Sequence, residues 1–344
     1  MEEVLPWILD RLHNIGLSPD AESLAAGLLC GDRSMFDPMA IYEMREAGMA
    51  HLLAVSGLHI GLIWTLLLYA FRPMILVPFF CGWNELHWRE IFRYVTLISL
   101  WLYVWMIGFP PSAVRAAIMI SIMQVSRMFM IESWSWENLI IAALLMLCYD
   151  PSLMTQCGFQ LSFAATAGIF AFRPMFAIVH DPFAPKNKKK TWWDKLQPVR
   201  SLFWITFSAQ LFTMPLVAYY FHHLPLLGFV QGFLVVPILG FLIYWLVGLL
   251  VFPAFLGTLP LFGENLYHWL SLPVEALSWW IFHLAHWLTK AEIWIVGGRV
   301  TFYPSLEETV ILEVIVVGLS IAFLGWQRSK KANLAERAKP MLDV

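Results

Sequence analysis

Charged residues are scarce in this sequence, and their scarcity excludes most soluble folds. Of the 344 residues only 13% are Asp, Glu, Lys or Arg, whereas 60% are hydrophobic. Soluble domains carry about a quarter charged residues, so this chain cannot cover itself with a surface that water solvates. The mean hydropathy of +0.68, with 18 Trp and 26 Phe, is typical of a protein whose solvent is the lipid bilayer.

Cysteine is also sparse, and its spacing excludes the common metal and disulfide frameworks. Cys30, Cys81, Cys148 and Cys157 form no CxxC pair, so we interpret them as small apolar residues. The histidines lack both metal-ligand spacing and an accompanying carboxylate, so we predict no metal site and no cofactor. No P-loop and no signal-peptide pattern occurs, so an ATP-driven step would need a partner and the apolar segments would direct membrane insertion.

Long apolar runs fill most of the sequence. A bilayer core needs about 20 apolar residues per helix, and lipid-exposed backbone must form helices or a closed barrel. These runs do not alternate between apolar and polar residues, so we predict helices. They lie at about 49–70 with a continuation at 73–81, 91–109, 113–130, 138–149, 157–179, 201–221, 226–251, 266–288 and 309–326. The predicted fold class is an all-α, polytopic integral membrane helical bundle of about eight to ten transmembrane or re-entrant segments.

The amino-terminal residues 1–46 differ from these runs, because charged residues interrupt them throughout. Apolar residues between Leu5 and Leu29 recur at helical spacing, which predicts an amphipathic helix on the membrane surface. Pro38 is well placed to start a short helix that runs to Gly48. We therefore predict a membrane-surface region at 1–46, a transmembrane domain at 47–327 and a basic cytoplasmic tail at 328–344.

Basic residues predict the orientation of the chain. The segment 186–200 contains Lys186, Lys188, Lys189, Lys190, Lys195 and Arg200. The tail after Trp326 is also basic, so both segments are expected in the cytoplasm. Four predicted crossings lie between them, and an even number returns the chain to the same side. Lys-rich runs also bind nucleic acid or anionic lipid, but we interpret this one first as a determinant of topology.

Three features of the runs affect the predicted crossings. The run 138–149 is short for a full crossing, and Pro237 should kink or break the helix at 226–251. The run 266–288 has a polar stripe that includes His268, Glu275 and His286. Such a helix either lines an aqueous path or lies in the interface, and its pattern does not choose between them.

Polar side chains inside apolar runs are costly in lipid, so they usually face a cavity, a partner helix or a pathway. They are spread over five runs, with His222 and His223 directly after the run 201–221, and they suggest a shared polar interior. They are Ser56, His59, Arg115, Gln124, Gln160, Ser162, Thr166, Gln210, Thr213, His222, His223 and Gln231. Arg115 follows the break at Pro110-Pro111, and an anion contact competes there with snorkelling or a structural hydrogen-bonding role.

Ser56 and His59 also admit two interpretations. Ala54-Val55-Ser56-Gly57 faintly resembles the G-x-S-G of intramembrane serine proteases (rhomboids), but the first Gly is missing. Ser56 and His59 are also close in sequence for the usual separated nucleophile and base. Helix packing through small residues with an interhelical hydrogen bond is the alternative that we favour. We therefore predict no enzymatic activity.

Several longer motifs occur in order between about residues 24 and 250. They are Gly31-Asp32-Arg33-Ser34, His51-Leu52-Leu53-Ala54-Val55-Ser56-Gly57-Leu58-His59-Ile60-Gly61, Pro110-Pro111-Ser112-Ala113-Val114-Arg115, Gly158-Phe159-Gln160-Leu161-Ser162-Phe163, Ser208-Ala209-Gln210-Leu211 and Val235-Val236-Pro237. This ordered set resembles the ComEC-type competence family of bacteria, and the string from His51 to Gly61 looks like its hallmark. The resemblance implies a competence channel domain at 47–327, in the bacterial cytoplasmic (inner) membrane as a multi-pass protein.

The function that this resemblance implies is DNA uptake. The family moves one strand of incoming DNA into the cytoplasm during natural transformation, so the implied partners are single-stranded DNA and membrane lipid. Six residues occupy family motif positions and are expected to line or brace the channel. They are Arg33, Ser56, His59, Arg115, Gln160 and Gln210.

The sequence also departs from the family pattern. Full-length relatives add an OB-like domain before this region, and many add a metallo-β-lactamase-like domain after it, whereas no H-x-H-x-D-H string occurs here. We therefore expect no nuclease in this chain and separate OB-fold, nuclease and ATPase or helicase competence proteins as partners. Val230-Gln231-Gly232 stands where the family tends to have Asn. A small-molecule or peptide transporter without a DNA role is the alternative function, and an intramembrane serine hydrolase is less favoured.

Overall fold

The computed structural model describes residues 4–53, 55–76, 85–128, 135–176, 196–256, 264–296 and 301–338. These residues contain twelve α-helices and no named β-strand, which confirms the predicted all-α fold class. The helices are α1 (Val4–Asn14), α2 (Pro19–Cys30), α3 (Pro38–Glu46), α4 (Gly57–Ala70), α5 (Glu85–Met106), α6 (Pro111–Met128), α7 (Ser135–Tyr149), α8 (Cys157–Phe176), α9 (Gln197–Phe221), α10 (Gly228–Leu256), α11 (Glu264–Val296) and α12 (Leu306–Ala338). Short 3-10 helices lie at Ala50–Leu53, Arg72–Leu76 and Pro151–Thr155.

The chain divides into two compact units. The first unit comprises Met1–Phe159 and Pro225–Arg299, and the second comprises Gln160–Leu224 and Val300–Val344. The first unit therefore contains α1 to α7, α10 and α11, and the second contains most of α8 with α9 and α12. The two units are defined by packing. The predicted regions were defined by their location relative to the membrane, and they stay predictions: 1–46, 47–327 and 328–344.

The first unit is built around α4. This helix packs against α5, α6 and α10, while α11 packs against α10 and against α2 and α3. Small residues on α6 allow close helix contact, because Ala113 and Ala117 are fully buried. Larger apolar side chains fill the remaining space, and Leu100, Leu239 and Ile281 are among those with no exposed surface.

The amino-terminal region contains two helices where the apolar spacing predicted one. Gly16 adopts a positive φ of 78° after α1, a conformation that glycine adopts at low cost. Ser18 then caps α2 by accepting the Ala21 N–H, and Pro19 occupies the first turn. The amphipathic pattern holds for α1, in which Leu12 is buried and Trp7 is exposed. By contrast α2 is buried from residue 21 to residue 29 within the first unit.

Three described helices are long and apolar enough to cross a membrane. They are Gln197–Phe221, Gly228–Leu250 and Leu306–Trp326, which correspond to three of the predicted runs. Shorter apolar helices occur at Ile91–Met106 and Trp136–Tyr149. The total of about eight to ten segments stays a prediction that rests on apolar length.

Two local expectations about these runs differ from the structure. Of the two outcomes expected at Pro237, a kink or a break, the break does not occur, because α10 is helical from Gly228 to Leu256; membrane helices tolerate proline where neighbouring groups satisfy the freed backbone. The first run is not one helix, since Ala50–Leu53 is a 3-10 helix and α4 begins only at Gly57. The short helix predicted to start at Pro38 is α3, and the chain turns after it at Gly48, whose φ is 79°.

Candidate functional site

The backbone between the 3-10 helix and α4 is the centre of the candidate site in the first unit. Leu53 and Val55 are each 1% exposed, so their carbonyls need hydrogen-bond donors from the protein. Arg33 donates its Nε–H to the Leu53 carbonyl. Ser112 donates its hydroxyl to the Val55 carbonyl over 2.5 Å. Side chains from two other motifs therefore hold the carbonyls of Leu53, the last residue of the 3-10 helix, and of Val55, which precedes α4.

Ser56 and His59 form a reciprocal cap at the start of α4. The Ser56 N–H donates to His59 Nδ1 over 3.0 Å, and Ser56 Oγ lies 2.8 Å from the same nitrogen. Because Nδ1 accepts a backbone N–H, the ring proton of the neutral His59 resides on Nε2. His59 has no exposed surface. The arrangement resembles a capping box, in which a third-position side chain returns to the N-cap backbone.

The distance between Ser56 and His59 also meets the geometric condition for a nucleophile and its base. However, the nitrogen that would accept the hydroxyl proton also accepts the Ser56 N–H, and His59 is buried. Both observations favour a structural role over a hydrolase. The hydrogen bonds join residues three apart at the start of α4, so the structure gives the pair a capping role in place of the interhelical hydrogen bond that we expected.

Arg115 lies in the first two turns of α6 and is 2% exposed. Its Nη2 donates to the Ser112 carbonyl over 3.3 Å, while the Ser112 hydroxyl contacts Val55. The guanidinium therefore supports the turn that presents Ser112 to the segment before α4. Of the two roles left open by the sequence, this geometry favours the structural hydrogen-bonding role over direct contact with a phosphate.

A turn with two residues of positive φ connects α5 to α6 and brings the start of α6 to this site. Gly108 and Phe109 both have positive φ, 82° and 55°, and the Phe109 N–H donates to the Val104 carbonyl over 3.0 Å. This pattern ends α5 with a tight reversal. Pro110 and Pro111 then start α6 at once, since proline is favoured in the first helical turn. The left-handed conformation is costly for an aromatic residue, and the backbone hydrogen bond from Phe109 to Val104 stabilises it here.

The other two predicted site residues belong to the second unit. Gln160 accepts a hydrogen bond from the Tyr220 hydroxyl through Oε1 over 2.9 Å, which joins α8 to the end of α9. Gln210 is a partly exposed residue of α9. Gly168 permits the close approach of the two helices, because a Cβ there would lie 2.4 Å from the Ser208 carbonyl oxygen. The six predicted residues therefore form two separate groups, four in the first unit and two in the second.

The polar stripe of α11 contacts the amino-terminal helices, which the sequence pattern did not reveal. Glu275 accepts the Ser18 N–H and hydroxyl, both at 2.5 Å. His286 Nδ1 lies 2.8 Å from Glu43 Oε1. Glu292, 4% exposed, accepts the N–H groups of the loop before α10. Partners as distant in sequence as these carry no local signal. The pattern of this run therefore showed a polar face, but it did not show which residues contact that face.

Gln231, in the stretch Val230-Gln231-Gly232 before Pro237, also braces the first unit. It is 1% exposed, and its Nε2 donates to the Gly48 carbonyl over 3.2 Å. A Cβ at Gly48 would approach Gly228 Cα to 3.1 Å, so the two chain segments touch here.

Among the described residues no group of three His, Cys, Asp or Glu side chains could hold a metal ion.

These features define a helical membrane protein whose polar motif residues brace buried backbone. The chain belongs to the Competence protein family, whose model matches residues 28–328, and this confirms the resemblance noted from the motifs. It is 25% identical over 269 residues to ComE operon protein 3 of Bacillus subtilis (strain 168), which covers 78% of this chain and 31% of that protein.

Two other relatives show comparable similarity. Recombination protein 2 of Haemophilus influenzae is 28% identical over 242 residues, 68% of this chain and 28% of that protein. Uncharacterized protein YcaI of Escherichia coli (strain K12) is 25% identical over 270 residues, 78% of this chain and 34% of that protein. The chain thus spans about a third of the length of the curated relatives that it matches. No solved structure matches the chain.

Proposed function

We propose that this chain is the membrane part of a bacterial DNA-uptake system, a channel that passes single-stranded DNA into the cytoplasm during natural transformation. The observation that carries the proposal is family membership across residues 28–328, which includes every motif of the ordered set. The three spanning-length helices support a membrane location. We further propose that the protein is multi-pass and resides in the cytoplasmic (inner) membrane.

The hydrogen bonds of the motif residues support a structural role for them within such a channel, distinct from contact with the DNA. Arg33 and Ser112 hold the carbonyls of the segment before α4, and His59 caps that helix. Arg115 supports the turn that carries Ser112. We infer that this group maintains the backbone path beside α4, and that phosphate groups of the DNA contact other parts of the protein.

Other proteins would complete the system. We propose that an OB-fold protein, a nuclease and an ATPase or helicase act together with this chain in DNA uptake. We propose no enzymatic activity for the chain itself. The Lys-rich part of the segment 186–200, which the sequence analysis assigned to the cytoplasmic side, lies largely outside the described residues.

Replacement of the channel gene in a naturally competent host tests this proposal. The host would carry the wild-type chain, the Arg33→Ala variant or the Arg45→Ala variant, with membrane expression measured for each. Arg45 is an exposed residue of α3 and serves as the matched control. We expect uptake with the wild type and Arg45→Ala, and a strong loss with Arg33→Ala. Well-expressed wild type that supports no uptake, even with the flanking domains co-expressed, would contradict the channel function.

A further inference from the structure

A carboxylic acid lies in the middle of a membrane-spanning helix of the second unit. Glu313 belongs to α12, within the stretch Leu306–Trp326 that is long and apolar enough to cross the bilayer. It lies three residues before residue 316, the midpoint of that stretch, which corresponds to about 4.5 Å along the axis. The side chain of glutamate is too short to reach either interface from this depth, so its surroundings must be found within the protein.

The side chain belongs to the packed face of α12. Thr309 and Ser320 are 2% and 3% exposed, and they lie four residues before and seven residues after Glu313, spacing that places all three on one helical face. Val314 and Ile321, by contrast, are 65% and 66% exposed. Glu313 therefore points toward the helices of its own unit and away from the lipid-facing side.

Two ring contacts fix which part of α9 lies beside Glu313. His222 and Tyr303 have ring centroids 4.8 Å apart at one end of the helix pair, and Trp204 and Phe323 have centroids 6.4 Å apart at the other. The helices are therefore antiparallel. Glu313 is midway between Tyr303 and Phe323, so it is level with the middle of the stretch from 204 to 222.

Hydroxyl groups occupy this level on both neighbouring helices. Thr213 is in the middle of that stretch of α9 and donates to the Ala209 carbonyl over 3.0 Å. Gly168 of α8 lies opposite Ser208, and Thr166, two residues earlier, donates to the Ser162 carbonyl over 2.8 Å. Since both hydroxyls give their protons to their own helices, their oxygens remain available as acceptors at this depth.

Basic groups of the described second unit lie far from this level. Arg173 and Arg200 are at the Phe323 end, and His222 and His223 are at the Tyr303 end. Glu313 is ten residues from Phe323, about 15 Å along α12, and seven residues from Leu306, where α12 begins after Tyr303. Tyr219 and Tyr220 are the nearest titratable groups of α9, and the Tyr220 hydroxyl donates to Gln160. Glu313 Oε1 is buried and accepts no hydrogen bond from the described residues.

We propose that Glu313 is a proton-binding site within the membrane part of the second unit. Glu313 is partly buried with an inaccessible Oε1, and a carboxylate without a cation at this depth is strongly disfavoured in lipid, whereas the neutral acid is tolerated and can donate to a hydroxyl oxygen. The carboxyl therefore carries a proton in this packed arrangement and exchanges it when water enters between α9 and α12. The proposal concerns the chemistry of this residue alone and does not depend on DNA as the cargo.

Dicyclohexylcarbodiimide tests the site directly on the purified full chain in detergent. The reagent consumes the proton of a carboxylic acid when its O–H adds across a carbodiimide C=N bond, so an ionised carboxylate reacts poorly. Peptide mass spectrometry then locates the adduct. We expect an adduct on Glu313 at about pH 6 that decreases several-fold by about pH 9, as the acid loses its proton to water. The experiment uses the wild-type protein, so it does not depend on the folding of any variant.

Two variants and one ion competition sharpen the result. Glu313→Gln should remove the adduct, while Glu308→Gln should leave it, because Glu308 is exposed and accepts the Ser305 N–H over 2.7 Å at the helix start. Absence of a Glu313 adduct at about pH 6, or equal modification of Glu308, would overturn the proposal. Protection by NaCl but not by KCl at equal ionic strength would also overturn it, since a sodium site would then replace the proton site.

Discussion

Ser112 and Val55 are 57 residues apart in sequence and are joined by a hydrogen bond of 2.5 Å between the serine hydroxyl and the valine carbonyl. This contact connects the Pro110-Pro111 motif at the start of α6 with the hallmark string from His51 to Gly61. In this contact one motif supplies a donor and the other supplies a buried carbonyl that lacks a helical partner. The contact therefore makes specific predictions about both strings.

Substitution of Ser112 by Ala should leave the Val55 carbonyl buried without its donor. An unsatisfied buried group costs about 1–3 kcal/mol, so we expect a lower apparent melting temperature in detergent. The matched control is Ser99→Ala in α5, because the Ser99 hydroxyl donates only to its own helix, at the Val95 carbonyl. Equal melting temperatures for the two variants would contradict the bracing role of Ser112.

Substitution of Arg115 by Ala separates a structural arginine from one that binds phosphate. The side chain is 2% exposed, so truncation removes packing and a hydrogen bond together, and we expect a loss above about 2 kcal/mol. Thermal unfolding in the absence of DNA measures it, and Arg45→Ala should change little because that side chain is exposed. A fully stable Arg115→Ala protein with weaker, less salt-dependent DNA binding would instead favour a phosphate contact.

An element of the fold could be predicted from the sequence only where the residues of that element alone determine it. The runs that became α9, α10 and α12 were identifiable because apolar length alone defines a spanning helix. The break before α4 was not, since Leu52, Leu53 and Val55 continue the apolar run, and the interruption depends on donors from Arg33 and Ser112.

The candidate site shows the same limit. Motif positions identified six residues, but they did not show that Gln160 and Gln210 belong to a different unit from the other four. The partners of Glu275 and His286 were also absent from the pattern, because Ser18 and Glu43 lie more than 240 residues away in the sequence. Hydrophobic periodicity shows that a polar face must be covered, but it does not show by which residue.

Gly168 should tolerate no larger side chain. A Cβ there would lie 2.4 Å from the Ser208 carbonyl oxygen and 2.9 Å from Phe212 Cγ, so Gly168→Ala must separate α8 from α9 at a cost of about 1–3 kcal/mol. Gly248→Ala in α10 is the control, because a Cβ at Gly248 meets nothing within 4 Å and alanine favours the helix. The prediction fails if both variants melt at the wild-type temperature.

Ser56 should remain unmodified by serine-directed fluorophosphonate probes. His59 Nδ1 already accepts the Ser56 N–H, and the buried imidazole is positioned to cap α4, so activation of the hydroxyl is not expected. Mass spectrometry of the treated protein checks this expectation, with a known serine hydrolase as the positive control. An adduct on Ser56 that disappears in the His59→Ala variant would revive the hydrolase interpretation.

Cys30 should react with alkylating reagents unusually slowly, and its pH profile should reveal the cause. Burial, and secondarily the charge of Asp32, raises the pKa of the Cys30 thiol to about 12. A raised pKa keeps the thiol protonated at neutral pH, and only the thiolate is nucleophilic. In a chain that retains Cys30 as its only cysteine, the iodoacetamide rate should therefore keep rising with pH beyond about 10, where an ordinary thiol of pKa about 8.5 is almost fully ionised and its rate levels off. The same chain unfolded in denaturant is the control and should level off near that pH.

Asp32→Asn should shift the folded profile modestly toward lower pH, because it removes the smaller of the two causes and leaves burial in place. A folded protein whose rate levels off at the same pH as the unfolded chain would show that the Cys30 thiol is solvated.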